Sequence, residues 1–202
     1  VGSEMCIRDS YNPLDYAWAA HEQYLNLAAT TKKKVVFLGM NPGPFGMAQS
    51  GVPFGEIAIV RDWLGINAPI GKPDCEHPKR PIVGLACTRS EVSGRRLWGL
   101  FAERYESASD FFRDHFIVNH CPLMILQGPR GTNVTPNNVS GPVVRDLLER
   151  CDQHLMEVVI ALGAEQVIGI GKYAEKRAKV ALGEMGIRVR TCWHPSPASP
   201  LA

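Results

Sequence analysis

Residues 34–56, Lys-Val-Val-Phe-Leu-Gly-Met-Asn-Pro-Gly-Pro-Phe-Gly-Met-Ala-Gln-Ser-Gly-Val-Pro-Phe-Gly-Glu, narrow the fold more than any other stretch. Val35 to Leu38 is apolar without alternation, the pattern of a strand buried on both faces of a parallel sheet. Five glycines and three prolines then fall between Gly39 and Gly55. Such a composition continues neither strand nor helix. It reads as a shaped loop at the carboxyl end of a central strand, the edge where open α/β sheets bind ligands. Asn41 at the lip and Phe54 near the end set a polar group beside a flat apolar surface, which suits a small planar ligand. A purely structural Gly/Pro connector is the alternative.

Further apolar runs place strands over 116–121, 167–170 and 187–193, with a short edge strand at 81–85. Helical spacing predicts helices over 11–30, 56–64, 144–162 and 172–185. Ser93 and Ser109 are candidate caps of two more. Residues 127–141 read as a polar loop. Alternating strands and helices argue for an α/β fold, a three-layer α/β/α sandwich around a mostly parallel four-stranded sheet. One domain is expected over 11–202. Residues 1–10 share no periodicity with the rest and are expected to be non-native or disordered.

With 202 residues and 45% hydrophobic content, the chain can bury a substantial core. A net charge of +2 announces no polyanion partner, so any basic surface must be local. The six cysteines form no C-x-x-C pair and are expected as free thiols of a reducing compartment. Gly169-Ile-Gly171-Lys172 opens a helix but lacks phosphate-loop spacing, and Cys75 with His77 has no second pair for zinc. The cations Lys172, Lys176, Arg177 and Lys179 read as a solvated helix face.

Three inferred strand ends carry polar residues: Asn41, Asn119 and His194. Parallel strands present their carboxyl ends on one edge, so the three can converge, with Phe54 joining from the loop. Singly, each has a bland reading as a turn or surface residue.

Gly39-Met-Asn-Pro-Gly43 with the adjoining loop, Asn119-His-Cys-Pro-Leu123 and His194-Pro-Ser-Pro197 together resemble the single-strand-selective monofunctional uracil-DNA glycosylases, over residues 35–200. The resemblance implies a uracil-DNA glycosylase-like fold and a base-excision repair enzyme. It would flip uracil from DNA and hydrolyse its N-glycosidic bond, with no metal or organic cofactor. Asn41 and His194 would be catalytic, Asn41 orienting water and His194 donating to the uracil O2. Met40 and Gly43 would line the pocket, Phe54 would stack on the base, and Asn119 would read its O4/N3–H edge. Arg130, Gly131, Thr132, Asn133, Ser196, Pro197 and Ala198 would contact DNA. Gly43, where related enzymes carry a bulky Tyr, implies tolerance of 5-hydroxymethyluracil.

The absence of a motif lysine fits monofunctional, non-lyase chemistry. Ala198 replaces an Arg of vertebrate members that helps a wedge enter the duplex, and the family pattern continues past residue 202. A bacterial-type, monomeric member incomplete at both ends is expected, cytoplasmic if bacterial and nuclear if eukaryotic. The alternatives are a mismatch-type uracil/thymine glycosylase, against which His194-Pro-Ser-Pro197 argues, and a non-catalytic DNA-lesion binder on the same fold.

Overall fold

The structure is a computed structural model that describes residues 10–28, 32–139 and 141–199. In chain order its elements are β1 (Ser10–Tyr11), α1 (Pro13–Tyr16), α2 (Trp18–Ala28), β2 (Val35–Gly39), α3 (Met47–Ser50), α4 (Ile57–Asp62), α5 (Val92–Arg104), α6 (Ala108–Asp114), β3 (His115–Asn119), β4 (Met124–Gln127), β5 (Thr132–Val134), α7 (Pro142–Leu162), β6 (Gln166–Ile170), α8 (Lys172–Leu182) and β7 (Arg188–Cys192).

Four strands form a parallel sheet in the order β3-β2-β6-β7. The register sets Gly39 against Asn119, Leu38 against Gly169, and Ile170 against Cys192. Residues paired in a parallel ladder point to the same face and successive ones alternate. Phe37 packs on Phe101 of α5, 5.2 Å between ring centres. On the opposite face, Gly169 admits the α8 backbone: a Cβ there would lie 2.7 Å from the Cα of Glu175. Helices therefore cover both faces, as the three-layer expectation requires. β3 is an edge strand, and Tyr24 of α2 blunts it. The Tyr24 hydroxyl donates to the Ile117 carbonyl (2.7 Å) and accepts from the Ile117 N–H (3.3 Å). This pairing blunts the open edge at Ile117.

Local chemistry explains most element ends. Asn12 caps α1, with Pro13 in its first turn, and the Glu56 carboxylate caps α4 at the Ile59 N–H. Gly163 ends α7 in the left-handed conformation.

Several expectations are corrected. Residues 11–30 do not make one helix: Tyr11 belongs to a strand, and α1 and α2 break at Ala17. Residues 29–31 lie outside the described part. Residues 81–85 are not a strand but lead into a 3-10 turn, Gly84–Ala86. Glu91 rather than Ser93 stands at the N-cap of α5, and Ser107 rather than Ser109 caps α6, its hydroxyl accepting from the Asp110 N–H. Residues 127–141 are not all loop, since β5 folds back on β4. β1, β4 and β5 form a second, antiparallel sheet whose Tyr11, Met124 and Leu126 build a small separate core with Ala48 and Ile82. Ser10, in the segment set aside from the fold, pairs with Ile125, while residues 1–9 lie outside the described part.

Candidate active site

The loop after β2 is held by two buried side chains. The Ser50 hydroxyl contacts the Gly46 and Gly55 carbonyls and accepts from the Val52 N–H, and the Trp98 indole donates to the Pro53 carbonyl at 3.0 Å. α5 comes so close that any Cβ at Gly94 would overlap the Phe54 carbonyl. Phe54 sits at φ 55°, a left-handed conformation unfavourable for a bulky residue. Strain of this kind persists where surrounding contacts enforce it, and it aims the ring into a cavity.

That cavity has a volume of about 210 Å³ and lies at the carboxyl edge of the parallel sheet. Met40, Asn41, Gly43, Phe54, Asn119 and His194 all line it. The predicted convergence of three strand ends is thus observed. Pro44, Gly46, Met47, Glu91, Ser93, Asn133 and Thr135 complete the wall.

Asn119 closes β3 and is 5% exposed. Its Nδ2 faces only the Met47 thioether sulfur, at 3.3 Å, and among the described residues its Oδ1 has no partner. An unmatched buried acceptor costs about 1–3 kcal/mol, so such an atom marks where a ligand donor belongs. Gln166 Oε1 is likewise unmatched but starts β6, at the opposite sheet edge. A Cβ on Gly39 would overlap Asn119 Oδ1 and stand 2.5 Å from the Phe54 ring. Glycine at 39 is what leaves a slot between the amide and the ring.

Asn41 donates from Nδ2 to the Leu123 carbonyl (3.4 Å) and to Asn133 Oδ1 (3.3 Å). A carbonyl only accepts, so the amide orientation is chemically set and Oδ1 is left as the acceptor for the cavity. Asn133 in turn donates to the Pro42 carbonyl at 3.0 Å. Asn133, expected as a DNA contact, lines the cavity and braces Asn41.

His194 follows β7, its ring centre 6.0 Å from that of Phe54. Its Nδ1 accepts from the Ser196 N–H at 3.1 Å. Burial lowers its pKa, so the ring is neutral at pH 7. A neutral imidazole whose Nδ1 accepts carries its proton on Nε2. His194 is therefore a hydrogen-bond donor, and Pro195, whose carbonyl accepts from Arg96 at 3.0 Å, ties the turn to α5.

His120 is buried beside Asn119 and satisfied, with Nε2 2.8 Å from Asp152 and Nδ1 2.9 Å from the Tyr173 hydroxyl. Arg177 pairs with Asp152, so this cation belongs to a partly buried network rather than to a solvated face. Burial lowers the His120 pKa against the opposing pull of Asp152. The network anchors the end of β3 and with it Asn119.

Glu91 carried no signal in the sequence pattern. Its side chain occupies the space that the glycines leave: a Cβ at Gly43 would overlap its carboxylate, and one at Gly46 would lie 2.9 Å from its Cγ. Burial pushes the Glu91 carboxyl up, against the N–H groups of Ser93 and Phe45. Of the other expected DNA contacts, Arg130 and Gly131 form the β4–β5 turn, Thr132 begins β5, and Ser196, Pro197 and Ala198 make the turn after His194.

The chain that builds this site matches the family model of the Uracil DNA glycosylase superfamily over residues 27–201. The chain is 48% identical to the single-strand selective monofunctional uracil DNA glycosylase of Bos taurus, over 95% of this chain and 71% of that one. Against the Rattus norvegicus protein of the same description, identity is 49%, over 95% of this chain and 69% of that one. The chain belongs to the single-strand selective monofunctional uracil DNA glycosylase family of this superfamily. The fold is also similar to the crystal structure of wild-type Pedobacter heparinus SMUG2, with a TM-score of 0.63 at 17% identity over 96% of this chain and 81% of that chain.

Proposed function

We propose that the protein is a monofunctional DNA glycosylase that takes uracil into this cavity and hydrolyses its bond to deoxyribose, starting base-excision repair. The unmatched Asn119 Oδ1 carries the reading. Uracil N3–H supplies the donor that this oxygen lacks, and O4 accepts from Nδ2. Cytosine presents the reverse pattern and leaves both ends unpaired, a mismatch that sites of this type reject strongly. Phe54 stacks on the base after it leaves the helix.

Asn41 Oδ1 accepts from a water aimed at C1′. An amide is no base, so Asn41 positions and does not deprotonate. The C1′–N1 electron pair departs with the base, and His194 Nε2–H donates to O2 as charge gathers there. The water oxygen bonds C1′ and its proton passes to solvent. No lysine lines the cavity among the described residues.

The test is single-turnover cleavage of an oligonucleotide with one uracil, read after alkali, beside Asn41→Ala. Cleavage by the parent, reduced by about 10²–10³-fold in the variant, is expected, the size of an effect from one positioned polar group. A folded protein that binds the oligonucleotide without turnover is instead a lesion binder.

Tolerance of 5-hydroxymethyluracil belongs to the same proposal, with a refinement. The Glu91 carboxyl takes up the space beside Gly43, so a bulky side chain there is replaced by a polar group at the cavity wall. A 5-hydroxymethyl group turned toward Gly43 has a hydrogen-bond acceptor there. Cleavage of uracil with 5-hydroxymethyluracil left intact would sink this pocket argument.

A further inference from the structure

A second groove, about 420 Å³, adjoins the base cavity, and Pro44 lines both. Its walls combine apolar Phe45, Val83 and Ala86 with cationic Lys79, Arg80 and Arg89. The Arg89 guanidinium carbon lies 3.9 Å from the centre of the Phe45 ring, and that of Arg80 lies 5.9 Å away. Val83 is 51% exposed. Among the described residues no carboxylate pairs with Lys79, Arg80 or Arg89. The contrast is with α8, where Glu175 holds both Lys172 and Lys179.

The groove walls are locked together. Buried Gln49 donates from Nε2 to the Pro44 and Pro81 carbonyls, at 3.1 and 3.0 Å. Its Oε1 accepts from the Val83 and Gly84 N–H groups, at 2.9 and 3.2 Å. One amide thus clamps the loop that carries Phe45 to the segment that carries Val83. Arg80 donates from Nε to the Gly131 carbonyl at 2.7 Å, which sets this wall against the turn bearing Arg130.

Uncompensated guanidinium groups around an aromatic ring are the means by which proteins hold single-stranded nucleic acid. Phosphates meet the cations, and bases pack on flat faces. We infer that this groove holds the nucleotide adjacent to the flipped uracil in the same strand. Its base packs against Phe45 and Arg89, and its phosphate lies among Lys79, Arg80 and Arg89. The inference rests on the uracil reading of the adjoining cavity. It also supplies a physical basis for strand preference. In a duplex the neighbouring base is stacked and paired, whereas in a single strand it is free to enter.

The test is fluorescence anisotropy of a short single-stranded oligonucleotide with one uracil, over a salt series. The proteins compared are the parent, Arg89→Ala, Phe45→Leu and, as a control away from the groove, Lys176→Ala. Arg89→Ala is expected to weaken binding by about fivefold or more and to lower the salt slope by about 0.7, the value for one single-strand phosphate. Phe45→Leu is expected to weaken it by about fivefold or more through lost stacking. An abasic spacer beside the uracil, on one side only, should cost the parent a similar factor and erase the further loss in Phe45→Leu. The side that does so gives the strand polarity.

Parent-like affinity and slope in Arg89→Ala overturn the inference. So does a Phe45→Leu loss that persists with spacers on either side. Melting curves check each variant, and if Phe45→Leu does not fold, the parent spacer series and Arg89→Ala decide. A parent that binds but releases no uracil refutes the glycosylase reading, while anisotropy still reads the groove. A parent that cleaves, with Arg89→Ala binding equally well, refutes the groove alone.

Discussion

Replacing Asn119 by Leu should make the protein more stable and nearly inactive. Leu has the heavy-atom branching of Asn and is the bulkier of the two, and the cavity that Asn119 lines gives its extra volume room; Asn119 is 5% exposed at the end of β3. Its Oδ1 has no partner among the described residues, a desolvation cost of about 1–3 kcal/mol that Leu removes. The contact given up, Nδ2 to the Met47 sulfur at 3.3 Å, is weak because a thioether is a poor acceptor. A net gain of about 1 kcal/mol remains after some loss to imperfect packing, and it raises the melting temperature by about 2–4 °C in a chain of this size. Activity moves the other way. Leu leaves uracil N3–H and O4 buried and unpaired, at about 1–3 kcal/mol each. With about 1.4 kcal/mol per tenfold in rate, kcat/KM falls by about 10²-fold or more. Scanning calorimetry and single-turnover cleavage read the two effects on one preparation. A melting temperature that drops by several degrees in a variant with unchanged unfolding cooperativity would refute the reasoning. It would mean that Oδ1 is satisfied in the free protein and does not await a ligand.

Gly39→Ala places its methyl on Asn119 Oδ1 and against the Phe54 ring. Cleavage is expected to fall by about 10²-fold through closure of the base slot, with about 1–3 kcal/mol lost in urea unfolding; full activity with uracil would rule out that slot. Asn133→Ala frees the Asn41 amide and is expected to slow single-turnover cleavage by about tenfold, with oligonucleotide affinity retained in anisotropy. Burial is the main cause of the lowered pKa of His21, His115, His120 and His194. Each therefore binds protons more weakly folded than unfolded. Their stabilisation is full above the unfolded value of about 6.5 and is lost as pH falls below it. Urea midpoints compared at pH about 7.5 and about 5.5 check this sign. Protonating His194 Nδ1 would also turn it against the Ser196 N–H, so the cleavage rate should be level above pH about 6.5 and fall below it.

Much of this was legible in the sequence. The uninterrupted apolar run of β2 announced a strand buried on both faces, and Gly39 with the prolines after it announced where that strand had to stop. The same logic put Asn119 and His194 at strand ends. Parallel strands share one carboxyl edge, so local pattern plus topology sufficed to bring Asn41, Asn119, His194 and Phe54 to one place. Features that depend on contacts distant in sequence were decided only by the tertiary structure. Glu91 is a lone carboxylate before a helix, and it enters the site because Gly43 and Gly46 leave it space. Asn133 looked like a loop residue because β5 is short and polar, and it becomes a strand residue only through pairing with β4. The orientation of the Asn41 amide depends on the Leu123 carbonyl, and the acceptor state of His194 Nδ1 on the Ser196 N–H. Periodicity records which side chains must leave water. The direction in which a polar atom points depends on the partner that it meets, and only the folded chain brings that partner to it.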